Sequence, residues 1–250
     1  QVAVVTGASR GIGEAIARRY AMEGARVVVS ARSVEEADHY LTGTITNTVE
    51  QIKAAGGDAL GVRADLSLAG DRRNLIETAK DAYGHVDILV NNAASGVQRS
   101  ASELEEKHWD WAMNINAKAP WLCSIAASKL MKDGGSIVNI TSQGSQRVLP
   151  YYLSVGTSKA ALEALTRYLA VELAPMGISV NAVSGGYVDT GALDHFPNRE
   201  EMLESGNKTP VGRMVTAEDI AKVVAFLCTE DAAMIRGQVL VVDGGVTLIA

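Results

Sequence analysis

The chain has 250 residues, of which 47 % are hydrophobic and 21 % are charged, and its formal net charge is −6. This proportion of apolar residues supplies a sizeable core and excludes an intrinsically disordered chain. The balance of 23 basic against 29 acidic side chains argues against nucleic acid as a partner, because phosphate binding needs a positive surface.

Cysteine and histidine are too sparse for a disulfide framework or a zinc site. The two cysteines are Cys123 and Cys228, and the four histidines are scattered without metal-ligand spacing, so we predict no metal. The sequence contains no apolar stretch of membrane-spanning length and no signal peptide opens it. We therefore predict a cytoplasmic protein that does not associate with membranes.

Seven short runs rich in Val and Ile alternate with amphipathic stretches along the chain. The runs lie at residues 2–5, 27–29, 60–62, 88–90, 137–140, 178–183 and 239–242. Continuous apolarity is typical of strands buried on both faces, whereas Ile12, Ile16 and Tyr20 recur with helical spacing. Strands that alternate with helices predict a single α/β domain over 1–250, a Rossmann-type doubly wound parallel sheet of about seven strands flanked by helices.

Two segments interrupt this alternation. Residues 38–48 are polar, include Gly43, and lengthen the connection after the second predicted strand. Residues 185–211 form the longest weakly periodic region, and a long loop in a compact α/β domain is often a binding lid. We predict a substrate lid over residues 187–212; the alternative is a surface excursion without a binding role.

A glycine-rich loop follows the first predicted strand directly and opens the first predicted helix. It reads Thr6-Gly7-Ala8-Ser9-Arg10-Gly11-Ile12-Gly13. Gly7 permits a tight turn, Gly11 lets the backbone approach a phosphate, and Gly13 allows close packing of helix against strand. The free N–H groups and the positive end of the helix dipole then face an anion, so the loop predicts a dinucleotide pyrophosphate site.

Basic residues near the end of the second predicted strand favour NADPH over NADH. An acidic residue there would hold the ribose 2′-hydroxyl of NAD, but this chain has Arg32 and Ser33, and Arg10 lies inside the glycine loop. Two guanidinium groups suit a 2′-phosphate, although Arg32 can also be read as a solvated surface cation. Asp65, after the third predicted strand, is either an acceptor for the adenine amino group or a turn residue.

Further motifs along nearly the whole chain resemble those of the short-chain dehydrogenases/reductases. They are Asn91-Asn92-Ala93-Ala94 after the fourth predicted strand, Asn116 in a Met-Asn-Ile-Asn-Ala run, Ser142 at the end of the fifth strand, Lys159 in a Gly-Thr-Ser-Lys-Ala run, and Asp243-Gly244-Gly245. The resemblance implies a catalytic set formed by Ser142, Lys159, Asn116 and a tyrosine.

The tyrosine stands at an unusual position for that family. Most members have it four residues before the lysine, where this chain has Val155, and the nearest tyrosines are Tyr151 and Tyr152. Tyr152 precedes Lys159 by seven residues. This spacing, with Gly185-Gly186 in place of the more common Pro-Gly, resembles the enoyl-ACP reductase branch, especially its NADPH-using type III enzymes.

The displaced tyrosine suits the reduction of a carbon–carbon double bond. On a helix, seven residues return to nearly the same face as four, but about 4.5 Å further along the axis. In a ketone, hydride and proton go to adjacent atoms, whereas in an enoyl thioester hydride goes to Cβ and negative charge appears on the thioester oxygen. We therefore expect Tyr152 to bond the enolate oxygen, although Pro150 leaves the start of the helix open.

The resemblance also implies roles for other residues of the site. We expect Lys159 to hold the nicotinamide ribose and, if it lies within a few ångströms of Tyr152, to lower the pKa of that phenol, and we expect Thr190 to bond the cofactor. Ser142 either donates a hydrogen bond to the substrate or to Tyr152, or it only ends the strand. Asn116 either holds a water linking Lys159 to solvent or is structural.

The predicted contacts form two groups. Those to the cofactor are Gly7, Ser9, Arg10, Gly11, Ile12, Gly13, Arg32, Ser33, Asp65, Leu66, Asn92, Ala93, Ala94, Lys159, Gly186, Val188 and Thr190. Those to the substrate are Ser95, Gly96, Tyr151, Tyr187, Leu193 and Phe196.

The resemblance implies an NADPH-dependent enoyl-ACP reductase of fatty-acid synthesis, a homotetramer that acts on acyl thioesters held by acyl carrier protein. Since that carrier is acidic, binding would need a local basic rim, for which the candidates are Arg99, Lys107, Arg199, Lys208 and Arg213. Two alternatives stay open. One is a carbonyl, 3-ketoacyl or alcohol oxidoreductase of the same fold, and the other is a dinucleotide-binding regulator without chemistry.

Overall fold

The computed structural model describes residues 1–36, 42–188, 190–191 and 198–249, and its central element is a seven-stranded sheet. The strands are β1 (Val2–Thr6), β2 (Arg26–Ala31), β3 (Asp58–Arg63), β4 (Ile88–Asn91), β5 (Gly135–Ser142), β6 (Ile178–Gly185) and β7 (Val239–Val242). Neighbouring strands are all parallel, in the order β3-β2-β1-β4-β5-β6-β7. The predicted doubly wound parallel sheet is confirmed, and each apolar run lies within one strand.

Helices cover both faces of the sheet. In the described residues the α-helices are α1 (Gly11–Met22), α2 (Ile45–Ala54), α3 (Ala69–Tyr83), α4 (Glu106–Met113), α5 (Ala119–Ser128), α6 (Leu153–Glu172), α7 (Arg199–Asn207) and α8 (Ala217–Phe226). None of them is both long enough and apolar enough to cross a membrane.

Two apolar cores lie between the sheet and these helices. On one face, Ile16 of α1 and Ile220 of α8 are fully buried in the same cluster, and on the other, Leu75 of α3 and Leu169 of α6 share a second cluster. Every residue of β1 is buried, as expected for a strand with helices on both faces. This explains why the strand runs are continuously apolar rather than alternating.

The sheet order places a ligand crevice next to β1. After β1 and β2 the chain extends the sheet to β3, and then returns to place β4 on the other side of β1. In open α/β sheets, ligands bind outside the carboxyl ends of the strands at such a reversal. The glycine loop after β1 and the Asn-Asn-Ala-Ala run after β4 therefore meet at one edge of the sheet.

Candidate active site

A cleft of about 1880 Å³ runs along the carboxyl ends of the strands. This volume exceeds the roughly 300–1,000 Å³ of pockets that hold drug-sized molecules, and so has room for a dinucleotide together with a second ligand. All seventeen residues predicted to contact the cofactor line this cleft, as do Tyr152, Ser142, Ser95, Gly96 and Tyr187. Asn116 and Tyr151 do not line it.

The glycine loop is packed so tightly that two of its glycines cannot carry a side chain. A Cβ on Gly13 would collide with the carbonyl oxygen of Gly7 and with the side chain of Asn92. A Cβ on Gly7, which has φ +65°, would lie 2.8 Å from the Cα of Ala93. Asn92 Nδ2 also donates to the carbonyl oxygens of Thr6 and Gly7, at 2.9 and 3.0 Å. The loop after β4 therefore sets the conformation of the loop after β1.

Gly11 has a different environment, which fits the role predicted for it. Its φ is +57°, and the nearest atom to an added Cβ is Cγ2 of Thr190, at 3.4 Å. Gly11 thus faces the cleft opposite Thr190, at the start of α1. Free N–H groups at such a helix start are suited to a pyrophosphate.

The adenosine end of the cleft is built around Arg10. Its Nη2 donates to Ser33 Oγ at 3.0 Å and to the carbonyl oxygen of Gly43 at 2.7 Å. Gly43 has φ +103°, and a Cβ there would lie 2.6 Å from the carbonyl oxygen of Ser9. Gly43, in the long connection after β2, therefore lies against the glycine loop. Of the predicted connection over residues 38–48, residues 45–48 belong to α2, and residues 38–41 lie outside the described residues.

Asp65 both lines the cleft and forms a turn. Its Oδ1 accepts hydrogen bonds from the Ser67 backbone N–H at 2.9 Å and from Ser67 Oγ at 2.7 Å. Burial alone would raise the pKa of Asp65, but the bonds from Ser67 and the charges of Arg32 and Arg63 lower it overall. A carboxylate held ionised in this way can accept a hydrogen bond from an adenine amino group.

Two buried serine hydroxyls mark the ends of the cleft and support its fit to a dinucleotide. Ser30 Oγ, at the end of β2, is buried and has no hydrogen-bond partner among the described residues, and Ser142 Oγ, at the end of β5, is buried with only the Tyr152 hydroxyl beside it. Buried hydroxyls are rarely left in this state. Polar groups of a bound ligand at each end would satisfy both.

Tyr152 lies beside Ser142 and directly precedes α6. It has φ −113° and ψ 13°, so it is the N-cap residue rather than part of the helix, and the full helical rise predicted between it and Lys159 does not apply. Its ring packs on two glycines: a Cβ on Gly144 would lie 2.5 Å from Tyr152 Cδ1, and one on Gly156 would lie 3.5 Å from it. This packing fixes the direction of the phenol.

Burial raises the pKa of the Tyr152 phenol, and the Ser142 hydroxyl opposes this effect only in part. The sequence predicted the opposite direction, on the ground that Lys159 would lower this pKa. In the structure the Lys159 ammonium instead donates to the carbonyl oxygen of Ile140 at 2.7 Å. The phenol therefore stays protonated at neutral pH, which suits a hydrogen-bond donor.

Lys159 is almost completely buried, with 4 % of its surface exposed. Burial lowers the pKa of its side chain to about 8. A lysine with such a pKa is charged at neutral pH and becomes neutral in mildly alkaline solution.

Asn116 lies in a π-helical turn, Asn114–Lys118, which joins α4 to α5. Its Oδ1 accepts from the Ser95 N–H, and its Nδ2 donates to the Ser95 carbonyl oxygen, both at 2.8 Å. The same Nδ2 donates to Ser158 Oγ at 2.9 Å. Because these contacts use both ends of the amide, the side chain holds the loop after β4 in place, as in the structural alternative, and does not contact Lys159.

Val155 occupies the position where most of the resembling family has tyrosine. It is 6 % exposed and lines the cleft, and a Cβ on Gly96 would collide with its Cγ2. The sequence placed Gly96 at the substrate, but gave no sign of this contact. Gly96 and Val155 together form an apolar surface where a ketone-reducing tyrosine would otherwise stand.

The remaining predicted substrate residues have different positions. Tyr187 is half-buried; burial raises the pKa of its phenol, and the facing Gln143 side chain opposes this. Tyr151 has φ +60° and is 43 % exposed outside the cleft. Leu193 and Phe196 lie outside the described residues. Apolar walls that the sequence did not single out come from Trp111, Leu149, Leu203 and Met214, joined by Met202 of α7.

The basic rim proposed from the sequence is largely neutralised by carboxylates. Lys107 pairs with Glu105 at 2.8 Å, Lys208 with Glu204 at 2.5 Å, and Arg213 with Asp219 at 2.6 Å. The pKa of Glu103 is lowered mainly by hydrogen bonds from Ser100 and that of Glu105 mainly by its hydrogen bond from Lys107, and the charge of Arg99 adds to both effects. Acidic neighbours thus reduce the positive potential at the entrance.

The sheet order, the glycine cradle and the cleft at the reversal of strand order define a Rossmann-type dinucleotide-binding protein. A family model described as "Enoyl-(Acyl carrier protein) reductase" matches residues 7–247. The chain belongs to this family of short-chain dehydrogenases/reductases. It is therefore an oxidoreductase of a family that binds a nicotinamide dinucleotide.

Known relatives differ in their reactions. The 1-cyclohexenylcarbonyl-CoA reductase of Streptomyces collinus is 38 % identical, over 100 % of this chain and 88 % of the relative. The 3-oxoacyl-[acyl-carrier-protein] reductase of a Synechocystis species is also 38 % identical, over 99 % and 97 %. A solved short-chain dehydrogenase/reductase double mutant from Serratia marcescens superposes with a TM-score of 0.89 at 33 % identity, covering 99 % of this chain and 98 % of that one.

Proposed function

We propose that the protein is an NADPH-dependent reductase of the 2,3 double bond of enoyl thioesters. The observation that carries this proposal is the position of the proton donor. The Tyr152 phenol lines the cleft beside Ser142, while Val155 fills the position four residues before Lys159. The substrate named for the Streptomyces collinus relative, 1-cyclohexenylcarbonyl-CoA, is itself an enoyl thioester.

Each residue has a role that follows from where charge develops. Bound NADPH supplies the hydride that reduces Cβ of the substrate. The Tyr152 phenol, kept protonated by its raised pKa, donates a hydrogen bond to the thioester oxygen and stabilises its negative charge. The proton that completes the reduction at Cα comes from this phenol, directly or through solvent. The Ser142 hydroxyl, which lies beside this phenol, is a second donor for the same oxygen. Lys159, whose buried ammonium donates to the Ile140 carbonyl oxygen, would hold the cofactor ribose.

The test offers purified protein and NADPH an enoyl thioester and, separately, a 3-ketoacyl thioester, and follows NADPH absorbance. We expect turnover with the enoyl substrate. Turnover of the ketoacyl substrate alone would favour the alternative, a 3-ketoacyl reductase, which the Synechocystis relative supports. Tight NADPH binding without turnover of either would favour a regulator.

Arg10 supports NADPH as the cofactor, because Ser33 and Gly43 hold its guanidinium at the adenosine end of the cleft. We expect Arg10→Ala to raise the KM for NADPH by about 10- to 100-fold, the value of one lost charged hydrogen bond, and to leave the KM for NADH nearly unchanged. Initial rates with both cofactors measure this. Lys53→Ala, an exposed cation on α2, is the matched control. An equal rise in KM for NADPH and NADH would contradict the 2′-phosphate role of Arg10.

We propose acyl carrier protein as the carrier of the substrate. Since three of the rim cations are ion-paired with carboxylates, binding of an acidic carrier would compete with these pairs and be sensitive to ionic strength. Raising salt should therefore reduce turnover of carrier-bound thioesters more than turnover of the CoA thioesters. An equal salt response would point to CoA thioesters as the substrates.

We propose a homotetramer assembled through α4, α5 and α6. Large apolar side chains are exposed on these helices: Trp109 (39 %), Trp121 (47 %), Tyr168 (71 %) and Val171 (75 %). A groove lined by Trp111, Trp121 and Leu165 lies on the same surface. Exposed apolar patches of this kind are typical of protein interfaces.

Trp121→Glu should reduce the particle mass to that of a smaller species, because burying a carboxylate at the interface is costly. Light scattering after size-exclusion chromatography measures the mass. Met22→Glu, at an exposed apolar position of α1, is the matched control and should leave it unchanged. A wild-type monomer would overturn the tetramer proposal.

A further inference from the structure

A buried carboxylate lies behind the active site and is not used by the chemistry above. Glu163 is on α6, four residues after Lys159, and only 5 % of its surface is exposed. Its Oε1 accepts hydrogen bonds from Thr141 Oγ at 3.0 Å and from Ser145 Oγ at 2.5 Å. Its Oε2 accepts from Gln146 Nε2 at 3.2 Å.

These hydrogen bonds stabilise the Glu163 carboxylate in its buried position. Among the described residues Glu163 has no ion-pair partner, so hydrogen bonds alone offset the loss of its hydration. All three partners are donors and all belong to one segment, the end of β5 and the turn that follows it. Glu163 therefore ties this segment to α6.

The tied segment carries groups that line the cleft next to Tyr152. Ser142 ends β5, and its carbonyl oxygen accepts from Ser145 Oγ at 2.7 Å. Gln143 faces the hydroxyl of Tyr187. The Tyr152 ring packs against Gly144. The carbonyl oxygen of Gly144 would in turn lie 2.6 Å from a Cβ on Gly156 of α6. A small movement of the turn would therefore displace Ser142 and Tyr152 relative to each other.

We propose that Glu163 is a positioning residue whose carboxylate clamps the turn after β5 against α6, so that the Ser142 and Tyr152 hydroxyls converge on one substrate oxygen. The clamp itself rests only on the hydrogen bonds of Glu163. Its effect on catalysis rests on the proposed reduction of an enoyl thioester, in which that oxygen becomes negatively charged.

Glu163→Met and Glu163→Gln separate this role from simple packing. Methionine has a similar length but accepts no comparable hydrogen bond, whereas glutamine keeps an oxygen for Thr141 and Ser145. Glu172→Gln, at the exposed end of the same helix, is the control for a changed charge on α6.

The first readout is amide hydrogen exchange of the cofactor-free protein. We expect exchange across residues 143–147 to be faster by about tenfold or more in Glu163→Met, and to change little in Glu163→Gln and Glu172→Gln. Unchanged exchange in the methionine variant would overturn the clamp. If that variant does not fold, Ser145→Ala, which removes one donor and leaves α6 intact, should give faster exchange in the same peptides.

The second readout is kinetic. Because displacing a catalytic group by about 1 Å can reduce the rate about 100-fold, we expect kcat of Glu163→Met to fall by that order, while the dissociation constant of NADPH stays within about threefold. Glu163→Gln should recover most of kcat. A parallel loss of kcat and NADPH affinity, or no recovery with glutamine, would contradict the positioning role. A wild-type enzyme inactive on enoyl thioesters would refute the proposed reaction, while hydrogen exchange would still decide the clamp.

Discussion

Tyr152→Phe is expected to lower kcat for double-bond reduction by about two to four decades, the contribution of a positioned proton donor. Phenylalanine retains the ring that packs on Gly144 and Gly156, so the substitution removes the hydroxyl and little else. The dissociation constant of NADPH should stay close to that of the wild type. Stopped-flow single turnovers measure the reduction step, and fluorescence titration measures cofactor binding.

Tyr151→Phe is the matched control, because Tyr151 is adjacent in sequence but is exposed and does not line the cleft. It should keep wild-type turnover within about twofold, as expected for a surface substitution. If Tyr152→Phe were as active as the wild type and Tyr151→Phe were inactive, the assignment of the donor would be wrong. Activity in both variants would point to a water molecule as the proton donor.

The fold was predictable because each strand carries its own signal. A parallel strand covered on both faces, such as β1, must be apolar at every position, so a run such as Val2-Ala3-Val4-Val5 can be recognised without any knowledge of its neighbours. The glycine loop is equally local, since Gly7, Gly11 and Gly13 meet the requirements of one turn and one helix start. These features placed the cofactor residues along one edge of the sheet.

The contacts between distant segments were not predictable. Gly43 holds Arg10 from 33 residues away, and Gly96 packs against Val155 from 59 residues away, and neither pair has a sequence pattern that links its members. The sequence predicted a lowered pKa for Tyr152, and this direction was wrong. Burial of the phenol raises its pKa, and Lys159 does not offset this effect. A glutamate within the apolar stripe of α6 was the available signal for the clamp at Glu163.

Lys159→Met is expected to lower kcat/KM by a factor of about 10² to 10³, because it removes the buried positive charge that we propose holds and positions the cofactor ribose. Methionine fills much of the same volume, so the effect on folding should be smaller than the effect on catalysis. Initial rates at low substrate concentration measure kcat/KM. Lys129→Met, an exposed lysine at the end of α5, should change it by no more than about twofold.

The pH dependence tests whether the charge of Lys159 is what matters. Since burial lowers the pKa of this lysine to about 8, the ammonium is present below that pH and is lost as the pH rises through it. We expect kcat/KM, which reports the free enzyme, to fall above about pH 8 and this fall to be absent from Lys159→Met. Bound NADPH brings phosphate charges that favour the ammonium form, so the fall in kcat should occur at higher pH than the fall in kcat/KM. The same alkaline fall in Lys159→Met would assign it to another group, with Tyr152 the first to examine.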